Sequence, residues 1–309
     1  MAVEAISTYH TPPPPRRLRM LEDERWLAFM LLVPTVVLLG LFIAYPFVRG
    51  ILLSVTNTRV GVAGDFVGFA NYYKIWNDSI FRTAVYNTFL YTAVTTVFKL
   101  GLGLWLAILL NRNFRGKAFT RAFILLPFII PTVLSTFAWR WMFDPTFSVI
   151  NWTLYHLGLI TGRINWLGDP DLAMISIIVV NIWRGVPFFA ISLLAGLQTI
   201  SPELNEAAAI DGAKPWQRFW HITWPLLLPV TMVVVLFSVI QTLADFQIVY
   251  VMTGGGPANA THLFATYAYQ IGVGTGLLSE GAAISLAMFP VLLLIVIIQL
   301  LYIRRVETR

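Results

Sequence analysis

PELNEAAAIDGAKPWQRFWHITWPLLLP, residues 202–229, sets a polar, alanine-rich insert between two long apolar runs. Ser201 is a favourable N-cap, Pro202 suits a first helical position, Glu203 lies at the positive end of the helix dipole, and Gly212 offers a left-handed stop. The spacing predicts a short helix between them, charged at Glu203, Glu206 and Asp211. So short a helix, with so little apolar surface, is marginal in water by itself and needs a surface to pack on. Pro215 can begin a second helix, on which Trp216, Trp220 and Trp224 recur every four residues; such rings favour a membrane–water interface. Pro225 and Pro229 then lead into the next apolar run. Read from these residues alone, the insert is either a docking element for a partner or a hairpin packed on its own bundle.

The rest of the chain reads as membrane around this insert. Of its 309 residues, 58% are hydrophobic and 12% charged, with mean hydropathy +0.74. Soluble domains carry about twice that share of charge. There are no cysteines, which excludes disulfides and thiolate metal sites. His10, His156, His221 and His262 lack metal-ligand spacing, so neither a metal centre nor a catalytic histidine is expected. The net charge of +6 is a matter of membrane sidedness, and no nucleic-acid partner is expected.

Residues 1–26 hold a proline run and Arg16, Arg17 and Arg19, and read as a flexible tail that cannot bury a core. Six spans are predicted, at about 27–48, 82–110, 121–143, 172–194, 221–249 and 282–303, within a membrane domain covering 27–303. The insert is the loop at 199–220, and 304–309 is a second short tail. Arg16, Arg17, Arg19, Arg25, Arg112, Arg115, Lys117, Arg121, Lys214, Arg218, Arg304, Arg305 and Arg309 all fall on one side of this arrangement. Only Arg49, Arg59, Lys74, Arg82 and Arg163 fall on the other. Both termini and the insert are therefore expected in the cytoplasm.

Ionisable and polar residues within spans are costly and point to a cavity or a partner. Asn181, Arg184, Gly185 and Phe188 share one side of the fourth span, and Ser238, Gln241, Thr242 and Asp245 one side of the fifth. The two faces flank the insert in sequence. Asn, Gln, Ser, Thr and Asp beside an aromatic ring suit a polyol; the bland reading is that they hold helices together. Arg184 either pairs with Asp245, the favoured reading, or meets an anionic substituent on a substrate. Lys99 is expected to snorkel towards the cytoplasmic end, and Arg140, between Trp139 and Trp141, to anchor an interface.

Glu206-Ala207-Ala208, Asp211-Gly212-Ala213, Phe219, Ile222, Pro225 and Pro229, in that order, closely resemble the coupling loop of the membrane subunits of bacterial ABC importers. The run TGGGPANAT, residues 253–261, is similar to a mark of the sugar-uptake branch, in particular of maltose-type first permeases. The resemblance extends over the chain after about residue 25. It implies an all-α membrane protein of type I ABC importer permease architecture, in the bacterial cytoplasmic (inner) membrane, with a cytoplasmic coupling helix. It implies a non-enzymatic permease subunit of an ATP-driven carbohydrate importer. The chain has no GxxxxGK[ST] phosphate loop, so ATP and Mg belong to a separate ATPase dimer and no cofactor is expected on this chain. Further partners implied are a second, unlike permease and an extracytoplasmic sugar-binding protein; the outside loop is too short for the extra domain of the maltose prototype. For coupling to the ATPase the resemblance singles out Glu206, Ala207, Ala208, Asp211 and Gly212. For the sugar it singles out Asn181, Gly185, Phe188, Ser238, Thr242 and Asp245, with Gln241 as a neighbour. The alternatives are an ion-coupled secondary transporter using Asp245 and Arg184 as a relay, and a membrane scaffold without transport.

Overall fold

The computed structural model describes residues 24–307, so most of the expected 1–26 tail and the end of the 304–309 tail lie outside the described residues. The described residues divide into two compact units, 24–52 and 53–307. In the first, α1 (Glu24–Leu39) passes through a π-turn (Gly40–Ala44) into α2 (Tyr45–Ser54). Large apolar side chains along it are exposed, as suits a helix solvated by lipid, where every backbone polar group must be satisfied within the segment.

The second unit contains α3 (Ala70–Trp76), α4 (Ser79–Asn111), α5 (Lys117–Ile129), α6 (Thr132–Met142), α7 (Val149–His156) and α8 (Pro170–Gln198). The predicted insert follows as α9 (Pro202–Ile210) and α10 (Pro215–Arg218), joined through a π-turn (Phe219–Thr223) to α11 (Trp224–Leu243). Then come α12 (Gln247–Met252), α13 (Phe264–Tyr269), a π-turn (Gln270–Gly274), α14 (Leu278–Ala287) and α15 (Phe289–Glu307). The protein is an all-α membrane bundle. Among the described residues, five stretches are long and apolar enough to cross a membrane: Glu24–Ser54, Ser79–Asn111, Pro170–Gln198, Pro215–Leu243 and Leu278–Tyr302. The α5–α6 pair makes a sixth, bent through 88°.

Two of the expected spans are interrupted. Residues 121–143 break at Ile130-Pro131, because the proline ring drives the residue before it out of the helical region; Ile130 has ψ 133°. Residues 221–249 end as a helix at Leu243, and Ala244–Phe246 separate α11 from α12. Asp245, expected one turn along from Gln241 on a continuous helix, lies in that break.

Local chemistry fixes the other ends. Asp78 caps α4, accepting from the Ile80 N–H at 2.8 Å, and its carboxylate also receives the Tyr267 hydroxyl. Asp169 caps α8, accepting from the N–H groups of Asp171 and Leu172, with Pro170 at the first helical position. The core lies between α4 and α8, with Tyr91, Ile177, Val180, Phe189 and Leu193 fully buried. Small residues allow the close approaches. Gly103 of α4 faces the Cβ of Phe189 on α8, and Gly281 of α14 rests on the backbone of Gly272, where any Cβ would strike main chain.

Main chain cannot step aside as a side chain can. Gly281→Val is therefore expected to destabilise the purified protein by about 1–3 kcal/mol. Gly101→Ala, which has open space around it, should leave the unfolding temperature in detergent unchanged or slightly raised.

Candidate functional site

The buried face of α4 is polar. Asn87, Thr88, Tyr91, Thr92, Thr95, Thr96 and Lys99, spaced three and four apart, are all buried, whereas Phe89, Val97, Phe98 and Trp105 on the same helix are exposed. At one end of this stripe Asn87 donates to the carbonyls of Ala260 and His262, and the Phe264 N–H donates to Thr88. At the other end stands Lys99.

Lys99 is buried and does not snorkel. Its Nζ donates to Asn181 Oδ1 and to Thr242 Oγ1, each at 2.9 Å. Asn181 Nδ2 in turn donates to Asp245 Oδ2 at 3.0 Å, and the Tyr91 hydroxyl donates to the same oxygen at 2.7 Å. The other carboxylate oxygen, Oδ1, accepts from the Ile248 N–H that opens α12. A cation and an anion on different elements are thus joined through one amide, which uses both its ends. The stem of Lys99 reaches this position because Gly185 faces it: a Cβ there would run into the lysine chain.

Lys99, Asn181, Thr242 and Asp245 line a cavity of about 520 Å³. Asn181, Gly185 and Phe188 of α8 and Ser238, Gln241 and Thr242 of α11 border it, with Asp245 from the break; all seven residues singled out from the sequence meet there. The sequence reading missed Lys99, Phe128, Thr132, Phe237, Phe246 and Gln247, which also line it. The period of the polar stripe on α4 carried the signal for Lys99. Phe128 and Thr132 carried none, because they arrive through the 88° bend. Phe188 stacks on Phe128 at 5.7 Å and packs against Phe237 at 5.3 Å, forming an aromatic wall.

Arg184 borders the cavity but forms no ion pair with Asp245. No carboxylate of the described residues lies within 4 Å of it, and its buried Nε has no hydrogen-bond partner. The expected Arg184–Asp245 pair is replaced by the Lys99 network, because Asn181 and Tyr91 already occupy the facing carboxylate oxygen. Arg140 is tied to protein as well, donating to the Val251 carbonyl at 3.2 Å.

The insert folds as an exposed hairpin. Ser201 stands at the N-cap with extended ψ, yet its hydroxyl makes no capping bond. The far end closes tightly: Gly212 has φ +81°, its N–H donates to Ala209 O at 3.1 Å, and the Ala213 N–H donates to Ala208 O at 2.9 Å, the paired bonds of a Schellman stop. Arg218 of α10 donates back to the Asn205 carbonyl, holding α9 against α10. None of Glu206, Ala207, Ala208, Asp211 and Gly212 is buried, and Ile210 (87%) and Trp216 (70%) stand out from the hairpin.

The TGGGP segment also has a structural reason for its glycines. Gly254 and Gly255 have φ +62° and +94°, and a Cβ on Gly255 would strike the buried imidazole of His262. Burial holds that imidazole below its ordinary pKa. Thr261 donates to Gly256 O and meets Thr253 Oγ1 at 2.8 Å, closing the loop on itself.

Long apolar helices around a polar cavity, with an exposed helical hairpin between two of the helices that line it, define a membrane transport permease. Residues 99–308 match the binding-protein-dependent transport system inner membrane components, and the chain belongs to that family. It is 37% identical to the sulfoquinovosyl glycerol transport system permease protein SmoG of Agrobacterium fabrum, over 94% of each chain. It is 34% identical to the trehalose/maltose transport system permease protein MalF of Thermococcus litoralis, over 90% of this chain and 93% of that one. Its fold matches a chain of a bacterial ABC transporter involved in the import of the acidic polysaccharide alginate, with TM-score 0.79 and 23% identity, covering 94% of this chain and 99% of that chain. The protein is an ABC importer permease subunit, a transport component of the inner membrane. None of these relatives speaks for the ion-coupled alternative.

The network makes an energetic claim that a double-mutant cycle tests. Lys99→Met and Asp245→Asn each leave one charge without its counterpart. The double variant should be more stable than the sum of the singles implies, by about 0.5–3 kcal/mol in detergent unfolding. Additive losses would mean that the two charges are independent.

Proposed function

We propose that this chain forms half of the translocation pathway of an ATP-driven carbohydrate importer, with both termini and the α9–α10 hairpin in the cytoplasm. The observation that carries the reading is the placement of the cavity. It is lined by α8 and α11, the two helices that enter and leave the hairpin, so a movement of the hairpin pulls on both walls of the cavity. The lining suits a sugar: the amides of Gln241 and Gln247 and the hydroxyl of Ser238 to pair with hydroxyls, and an aromatic wall for the faces of the ring. Relatives named for sugar glycosides and disaccharides support the substrate class.

In this reading α9 docks into an ATPase dimer that carries ATP and Mg. Glu206 meets a basic group there, Ala207 and Ala208 permit close approach, Asp211 shares in the contact, and Gly212 makes the tight exit. ATPase closure then moves the hairpin as a lever and switches the bundle between inward- and outward-facing states. A second, unlike permease supplies the other half of the pathway, and a binding protein delivers the sugar from outside. The excess of Lys and Arg on the hairpin side supports the orientation.

Capture of the chain from its native membrane in mild detergent should bring down an ATPase and a second permease. Glu206→Lys should lose the ATPase while keeping the permease partner. In cells Glu206→Lys and Gly212→Asp should abolish uptake with membrane levels unchanged. Normal uptake by both variants would sink the coupling assignment, and recovery of the folded chain alone would sink the complex.

A further inference from the structure

Three ionisable side chains border the cavity: Lys99, Arg184 and Asp245. Two cations and one anion leave it with one uncompensated positive charge. The carboxylate is already committed. Asp245 accepts from Asn181, Tyr91 and the Ile248 backbone, and Asn181 links it to Lys99. Lys99 is likewise satisfied by two oxygens at 2.9 Å. The uncompensated charge is therefore that of Arg184, with no carboxylate of the described residues within 4 Å and its Nε buried without a partner. A guanidinium within a membrane bundle is costly without a counter-ion, and its planar fork matches an oxyanion through two parallel N–H donors.

We propose that Arg184 is the receptor for an anionic group on the sugar, a sulfonate or a carboxylate, so that the cargo is an acidic glycoside; the inference rests on the carbohydrate-import reading. The cavity, at about 520 Å³, has the size of a small-molecule site. Arg184 lies one helical turn from Phe188, so an anion on the guanidinium leaves the sugar ring against the Phe188–Phe128 wall. Gln241 and Gln247 are then within the same cavity to pair with its hydroxyls. A carboxylate from the second permease is the competing counter-ion, and it would make Arg184 a strut between the two chains.

The test uses the complete transporter, with its ATPase, second permease and binding protein, in phosphatidylcholine proteoliposomes. Four probes are compared: sulfoquinovosyl glycerol, a mannuronate disaccharide, and the neutral glucosyl glycerol and the matching mannose disaccharide. Glucosyl glycerol differs from sulfoquinovosyl glycerol only in carrying a hydroxyl where the sulfonate stands. At least one acid should be imported about tenfold or more faster than its neutral counterpart at subsaturating concentration. Arg184→Gln should erase that preference, and Arg184→Lys, which keeps the charge without the fork, should keep a reduced one. The unfolding temperature of the purified permease pair, with no binding protein present, should rise with the acid and not with the neutral probe. Import of a neutral probe with neither acid transported would overturn the inference and leave carbohydrate import standing. Import of none of the four would overturn both. An equal loss of acidic and neutral transport in Arg184→Gln would assign Arg184 to the strut. Should that variant fail to assemble, the wild-type preference and the Arg184→Lys result decide.

Discussion

The bundle depends on the way a buried lysine and a half-buried aspartate are reconciled. Lys99 and Asp245 sit on elements far apart in sequence, and neither charge is tolerable alone in a low-dielectric interior. Asn181 joins them, receiving from Lys99 on its oxygen and giving to Asp245 from its nitrogen. Thr242 and Tyr91 complete the two shells. Every neighbouring feature accommodates this arrangement. Gly185 makes room for the lysine stem, and the break at Ala244–Phe246 turns the aspartate inward and lets it receive the Ile248 N–H. The polar stripe of α4 faces protein while Phe89, Phe98 and Trp105 face outward.

The same satisfaction of charges shapes the cavity's chemistry. Because the network is closed, Asp245 has little capacity left for other donors, and Arg184 is left as the cation that faces the space. The cavity is thus bordered both by a closed network and by a guanidinium and amides that the network does not use. The network joins α4, α8 and the end of α11, so it spans the two helices that also hold the hairpin.

The hairpin follows the opposite rule. It buries none of its signature residues, and it is held together by main-chain bonds and one arginine instead of a core. That makes it a compact protrusion with apolar tips at Ile210 and Trp216. The TGGGP loop is likewise closed on itself, over His262.

Much of this was legible in order along the chain. The apolar runs dictate membrane helices because no other open structure satisfies the backbone in lipid, and Pro215, Pro202 and Gly212 mark helix starts and a stop through fixed φ or left-handed freedom. The polar faces of α8 and α11 follow from helical period, which is a local property. What the chain order could not supply is the pairing of charges. Asp245 had two cations to choose from, and only the packing of α4 against α8, through Gly103 and Gly185, decided for Lys99 and against Arg184. Nor could periodicity foresee that α11 ends at Leu243, or that the bend at Pro131 accompanies Phe128 and Thr132 into the cavity wall. Local sequence determined where helices form and which faces are polar, since those depend on residues within a turn or two. The tertiary structure alone decided which buried charge meets which, since that depends on distances between helices that no spacing along one helix encodes.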